Sequence, residues 1–272
     1  MRGFVALILV SVLMAACSSS GGGSAAPSAA ASASSTPVAS TSPSASIAAA
    51  TTKPSPTAIP GCLPGCGIPN LTRPGDLEAG DYTTKYFFGG QLTVTAPAGW
   101  TSFEDSTGEF GLQPKGPNDG RVMFWLDVYP IVDGPMTPVE GFDRTAKSMI
   151  DWIEANPNIT VIEKVAASIG GLEATALEFG RSPKAVNVDE GCPVEIRPCV
   201  SLVSFPQWEG QYGVAGPFHV RIIAADASWG GKSHGIYAVT DTDNDEVFAR
   251  IAPAATKMIE GARLPVGVGQ DG

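Results

Sequence analysis

The sequence is short of histidine and of positive charge. Two histidines occur in 272 residues, and 17 Lys and Arg stand against 27 Asp and Glu, for a net charge of −10. A nucleic-acid binder needs a basic face to displace counterions from phosphate, so that class is excluded. The same acidity sets the folded surface against anionic lipid headgroups. Scarce histidine confines imidazole chemistry to His219 and His234, and neither lies in an H-E-x-x-H or beside a G-x-S-x-G motif. Gly231-Lys232-Ser233 ends like a phosphate loop, but Asp226 stands where that loop needs Gly. Asp241-Thr242-Asp243-Asn244-Asp245-Glu246 starts like a calcium loop, but Glu246 and Ala252 occupy the positions that require Gly and Glu. That acidic run reads instead as a helix N-terminus. No catalytic residue, metal ligand or cofactor is expected, and the chain is not expected to be an enzyme.

Long apolar runs are absent except at the start. Arg2 is followed by Phe4 to Leu13, apolar but for Ser11, and then by small Ala15 and Ala16 before Cys17. This is the pattern of a cleaved signal, with an apolar stretch too short to span a bilayer. Leu13-Met14-Ala15-Ala16-Cys17 resembles the bacterial lipobox. That resemblance implies a signal peptide over 1–16 and a Cys17 thiol carrying acyl chains such as palmitate. Two or more acyl chains give stable anchoring. The expected location is the extracytoplasmic side of the cell membrane.

Residues 17–60 are mostly Ser, Ala, Pro, Thr and Gly, with Lys53 the single charge and no aromatic side chain. Such a composition cannot bury enough apolar surface to offset its ordering entropy, so a disordered tether is expected. Residues 61–272 then form a single globular domain. Removing Cys17 from the five cysteines leaves Cys62, Cys66, Cys192 and Cys199, an even number in an oxidising compartment. The local pairs Cys62–Cys66 and Cys192–Cys199 are favoured, each stabilising by about 2–2.5 kcal/mol on the chain-entropy model. Cross-pairing remains open, and a zinc site is disfavoured by the wide second spacing.

Within the domain, Tyr82–Phe88 and Gln91–Ala96 read as strands of a hairpin, stopped at Pro97-Ala98-Gly99-Trp100. Phe110–Gln113 and Val122–Pro130 follow as strands. In the second, Val122, Phe124, Leu126 and Val128 share one side, against Met123, Trp125 and Asp127 on the other. Phe142–Asn156 has helical period. Ile159–Ile169 and Glu173–Phe179 flank a Gly170-Gly171 turn. Arg181–Pro198 reads as a polar loop. Strands are expected at Val200–Phe205, Phe218–Ala225 and Gly235–Thr240. A final helix spans Val247 to Ala262, with an Asp243/Glu246 capping box and a kink or break at Pro253. Few helices and many hairpins make this an α+β fold, an antiparallel sheet with each of two main helices covering a sheet face.

The opening Leu77-Glu78-Ala79-Gly80-Asp81-Tyr82, the strand into Pro97-Ala98-Gly99-Trp100, the helix, and the Gly170-Gly171-Leu172 hairpin resemble bacterial envelope proteins similar to the PsbP-like superfamily. The likeness spans about residues 77–265. It implies an antiparallel sheet between helices and a protein-binding, accessory role, and it carries over no site residues. Of the five tryptophans, Trp100 and Trp125 read as core, while Trp152, Trp208 and Trp229 are the candidate ligand surface. The expected function is a monomeric, membrane-anchored accessory domain that binds an envelope protein. The alternatives are a module for a glycan, lipid or small ligand and, behind it, a cell-wall hydrolase built around a histidine.

Overall fold

A computed structural model of the chain describes residues 75–89, 91–116, 120–131, 139, 141–185, 199–205, 210–265 and 268. The chain divides between Thr52 and Lys53 into two units, and every described residue belongs to the second. The leader, Cys17, the tether, Cys62, Cys66, Cys192 and Trp208 lie outside the described residues. Cys199 is disulfide-bonded, and Cys192, its expected partner, is one of those residues.

Thirteen strands and two α-helices are described: β1 (Gly75–Leu77), β2 (Gly80–Thr83), β3 (Thr93–Ala96), β4 (Trp100–Asp105), β5 (Glu109–Pro114), β6 (Arg121–Leu126), β7 (Tyr129–Pro130), α1 (Ala146–Ala155), β8 (Ile159–Ile169), β9 (Leu172–Arg181), β10 (Cys199–Phe205), β11 (Gly210–Ala215), β12 (His219–Trp229), β13 (Lys232–Thr242) and α2 (Asp245–Glu260). Eight strands form one antiparallel sheet in the order β1-β4-β5-β6-β13-β12-β9-β8. A three-stranded sheet, β11-β10-β7, and the β2–β3 hairpin complete the fold.

The central strands are apolar on both faces because both faces are covered. Val122 and Phe124 of β6, Ile223 and Ala225 of β12, and Ile236 and Ala238 of β13 pack with Ala255, Met258 and Ile259 of α2. On the other face Met123, Trp125, Ile222, Tyr237 and Val239 pack with Met149, Ile150 and Ile153 of α1. Val200, Leu202 and Phe205 of β10 and Val214 of β11 add a second layer on that face. Large antiparallel sheet and two helices thus agree with the α+β reading.

Several local expectations are corrected. Val122–Pro130 is not one strand. Asp127 adopts φ 52, which ends β6 and turns Val128 away from Val122 and Phe124 to pack on the α1 side. Tyr82–Phe88 is extended only to Thr83, and Phe87–Gly89 is a 3-10 turn. Trp100 begins a strand rather than following the end of one. Helix α1 starts at Ala146, where the Thr145 hydroxyl accepts the Ser148 N–H at 3.2 Å. The cap of α2 is Asn244, which accepts from Val247 N at 3.0 Å, with Asp245 and Glu246 in the first turn offsetting the dipole. Pro253 sits inside one continuous helix. Its side chain is exposed, so the break in the hydrogen-bond ladder lies on the water side.

Candidate functional site

His219 opens β12 and lies flat on the Phe248 ring of α2, with centroids 3.7 Å apart at 6°. Its Nδ1 is 2.8 Å from an Asp245 carboxylate oxygen and its Nε2 is 3.3 Å from Glu178. Glu178 also lies 3.5 Å from the Arg221 guanidinium. Both ring nitrogens are therefore occupied by carboxylates, and the ring joins the start of α2 to the sheet. This is a structural clamp, with no nitrogen left to meet a substrate.

His234 stands in β13 with Nδ1 2.7 Å from Asp127 Oδ2. Asp127 is held in turn by Gly235: its second carboxylate oxygen accepts the Gly235 N–H at 3.1 Å, and its own N–H donates to the Gly235 carbonyl at 2.9 Å. Trp229 lies 5.9 Å from the His234 ring and 5.3 Å from Phe88. A dyad forms here, but among the described residues no hydroxyl or thiol is bonded to His234 to complete a nucleophilic set. Among the described residues there is also no group of three or more His, Cys, Asp or Glu able to hold a metal ion.

Trp152 and Trp229 do not converge. Trp152 is half-buried against the α1-side core and Trp229 against the α2-side core, on opposite faces of the sheet. Trp100 and Trp125 are buried, as read.

Polar groups that are buried, with the half-exposed Arg121 beside them, cluster on the α1 side instead. The Arg121 guanidinium donates through Nε and Nη2 to Asp241 at 3.0 and 2.8 Å. Burial, with the Asp241 carboxylate nearby, pushes the Tyr212 hydroxyl well above the usual range. The Trp125 indole donates to the Glu109 carboxyl at 3.3 Å. Burial raises the Glu109 pKa, outweighing that hydrogen bond, and Glu104 adds repulsion. A carboxyl whose pKa rises on folding stabilises the protein below its unfolded value and loses that contribution as pH climbs through the folded value. Glu109→Gln keeps the acceptor for Trp125 without the charge. It is expected to stabilise the fold at pH 7 and leave it nearly unchanged at pH 4. Urea titrations at the two pH values check this, and equal effects at both would remove the assignment.

Two open surface features adjoin each other. A cleft of about 510 Å³ is lined by Lys147, Asp151, Lys164, Glu173, Thr175 and Asp226. Its rim is set by the start of α1, where Asp226 accepts the Ala146 N–H at 2.7 Å. Both lysines are already paired, Lys147 with Asp151 and Lys164 with Glu154. Beside the cleft runs β8, the last strand of the large sheet. Residues 160–166 of β8 are all exposed, and it carries Val161, Ile162 and Val165 at 39, 56 and 36 % exposure. The opposite edge, β1, has only three residues. The sequence places β8 at its observed bounds but does not show that it is an edge. The clue was there: its solvent-facing positions lack the clean polar alternation of a strand buried on one face.

No family model and no curated protein matches the chain. Its fold is similar to the crystal structure of LpqN, involved in cell envelope biogenesis of Mycobacterium tuberculosis. That match has 12 % identity and a TM-score of 0.38, and covers 71 % of this chain and 91 % of that one. It is also similar to the solution structure of cyanobacterial PsbP (CyanoP) from Synechocystis sp. PCC 6803. Here the identity is 10 % and the TM-score 0.37, with 70 % of this chain and 95 % of that one covered.

Proposed function

We propose that this chain is an extracytoplasmic lipoprotein, anchored through acylated Cys17, whose folded unit is a non-catalytic accessory domain that binds another protein along β8. The exposed β8 edge is the observation that supports this reading. An edge strand presents a row of unpaired N–H and C=O groups, and natural proteins usually shorten, charge or cover such edges. Here the edge is eleven residues long and exposes three large apolar side chains. Its protective devices are a register irregularity between Val161 and Glu163 and the charges of Glu163 and Lys164. These discourage indiscriminate pairing and leave Val161, Ile162 and Val165 exposed to a matched partner. The occupied nitrogens of His219 favour this reading over a hydrolase at that site. The opposed positions of Trp152 and Trp229 disfavour a shared aromatic platform for a ligand. Among the described residues no helix is long and apolar enough to cross a membrane.

The test is site-specific photo-crosslinking in intact envelopes. A photoreactive residue at Val165 is expected to give one or a few discrete adducts, and the same residue at Lys257 on the exposed side of α2 none. Equal labelling at both positions, or no adduct at Val165, would sink the reading. Mass spectrometry of the mature N-terminus tests the anchor separately.

A further inference from the structure

We infer that the β8 edge takes an extended, cationic polypeptide strand, which adds to the sheet with apolar side chains on the α2 face and Lys or Arg on the α1 face. The inference rests on the protein-binding reading above and names the chemistry of the partner.

The pairing register fixes which side each β8 residue serves. Opposed residues in an antiparallel pair share a face. Val165 lies opposite Ala176 and Glu163 opposite Glu178. Ala176 belongs to the α2-side core, so Val165 and Glu163 point to that side. Lys164 lies opposite Leu177, which belongs to the α1-side core, and Ala166 lies opposite Thr175 on that same side. A guest strand about 4.8 Å beyond β8 therefore meets apolar Val165, flanked by Glu163, on one face. On the other it meets Val161, opposite Phe179, then Lys164, whose charge Glu154 satisfies, and then a low position, Ala166, with the cleft behind it.

Charge decides what crosses that low position. Three carboxylates, Asp151, Glu173 and Asp226, and two ammonium groups, Lys147 and Lys164, line the cleft. The ammonium groups are satisfied by Asp151 and Glu154. Glu173 has no hydrogen-bond or ion-pair partner among the described residues. Thr175, opposite Ala166, also lines the cleft, and Glu173 is two residues along β9 from it. A long cationic side chain on the guest, laid over Ala166, reaches that carboxylate. An acidic guest would be repelled locally and by the −10 charge of the whole chain. A second copy carries the same −10, and registers centred on Glu163 or Lys164 would oppose like charges. Main-chain pairing supplies affinity in this mode and alternate side chains supply specificity.

Two labelled peptides probe the mature full-length chain by fluorescence anisotropy: acetyl-Lys-Val-Lys-Val-Lys-Val-Lys-amide and its counterpart with Glu for Lys. The Lys peptide is expected to bind at least tenfold more tightly than the Glu peptide. Glu173→Gln should weaken it about threefold to fivefold, the range of one exposed ion pair. Val165→Lys should abolish binding, with circular dichroism confirming the fold and Ile162→Lys as a second edge variant. Equal binding of both peptides would overturn the cationic assignment and leave strand docking in place. No binding of either, with Val165 crosslinks still present, would overturn the strand mode and leave the protein-binding reading. A dimer in sedimentation runs that Val165→Lys abolishes would assign the edge to a second copy. Loss of both peptide binding and crosslinks would remove both readings together.

Discussion

Trp125→Ala is expected to lower the stability of the fold by about 3–5 kcal/mol, seen as a Tm drop of roughly 6–20 °C. Trp125 lies one residue from the end of β6, 1 % exposed, on the face covered by α1. Its ring meets Phe205 edge-on at 5.4 Å and Tyr212 at 4.8 Å. Those two belong to β10 and β11, so Trp125 joins the small sheet to the large one. Truncation leaves a void beside β6 and β10, each hydrogen-bonded to a strand on both sides, so the walls cannot collapse into it. It also strips the buried Glu109 carboxyl of its indole donor. Trp125→Phe retains most of the ring packing and loses the hydrogen bond, so it should cost about 1–2 kcal/mol. Thermal melts of the three proteins by circular dichroism check the ordering. A Trp125→Ala melt within 2 °C of the parent would show that the two sheets are not joined there.

That burial was legible, because Trp125 alternates with Phe124 in an unbroken apolar run. The same run misled at its end. Period two carries Val128 to the side of Val122 and Phe124, but Asp127 takes a left-handed conformation that resets the alternation. Asp is among the residues that tolerate that region, so the residue type allowed the break without announcing it. The hidden cause is tertiary: Asp127 is held by two hydrogen bonds to Gly235 and one to His234, both over a hundred residues away. Strand β4 was missed for a related reason. Pro97-Ala98-Gly99 is a turn, and Trp100 on its far side looks like the turn's anchor rather than the first residue of a new strand. The weak period of Gly210–Ala215 hid β11, whose place is set by its antiparallel pairing with β10 rather than by its own pattern.

The candidate site was legible in its parts and not in its arrangement. Ile159–Ile169 was bounded correctly, yet nothing local marks a strand as the last in its sheet. Edge position follows from strand order, and among the described residues β12 pairs with β9 and β13 while β8 pairs with β9 alone. Lys147, Asp151 and Glu173 attracted no attention in the sequence because each alone is an ordinary solvated charge. They acquire meaning when α1 sets its first turn against β8 and β9. Conversely, the histidines attracted attention by their rarity, and His219 proves to be engaged in packing and ion pairs.

Gly235→Ala should cost about 2–4 kcal/mol and weaken the Lys–Val peptide several-fold even where the protein remains folded. A Cβ on Gly235 would fall 2.4 Å from the Arg144 carbonyl oxygen and 2.4 Å from the Tyr237 hydroxyl. These two atoms are already bonded to each other, the Tyr237 hydroxyl donating to the Arg144 carbonyl at 3.1 Å. The methyl group therefore displaces backbone, or parts a buried hydroxyl from its acceptor. Burial pushes that hydroxyl far above its usual pKa, so ionisation offers no relief. Arg144 immediately precedes Thr145, the cap of α1, and the first two turns of that helix carry Lys147 and Asp151 to the cleft. A shift of residue 144 moves the cleft wall against β8. Gly75→Ala is the control, because an added Cβ there has nothing within 4 Å, and its stability should stay within about 0.5 kcal/mol of the parent. Denaturant unfolding of both variants reads the first effect and peptide anisotropy at 15 °C the second. If Gly235→Ala unfolds like Gly75→Ala, the contact between the β13 backbone and the α1 entry is loose in solution. If it is destabilised but binds the peptide normally, the cleft wall does not depend on where α1 begins.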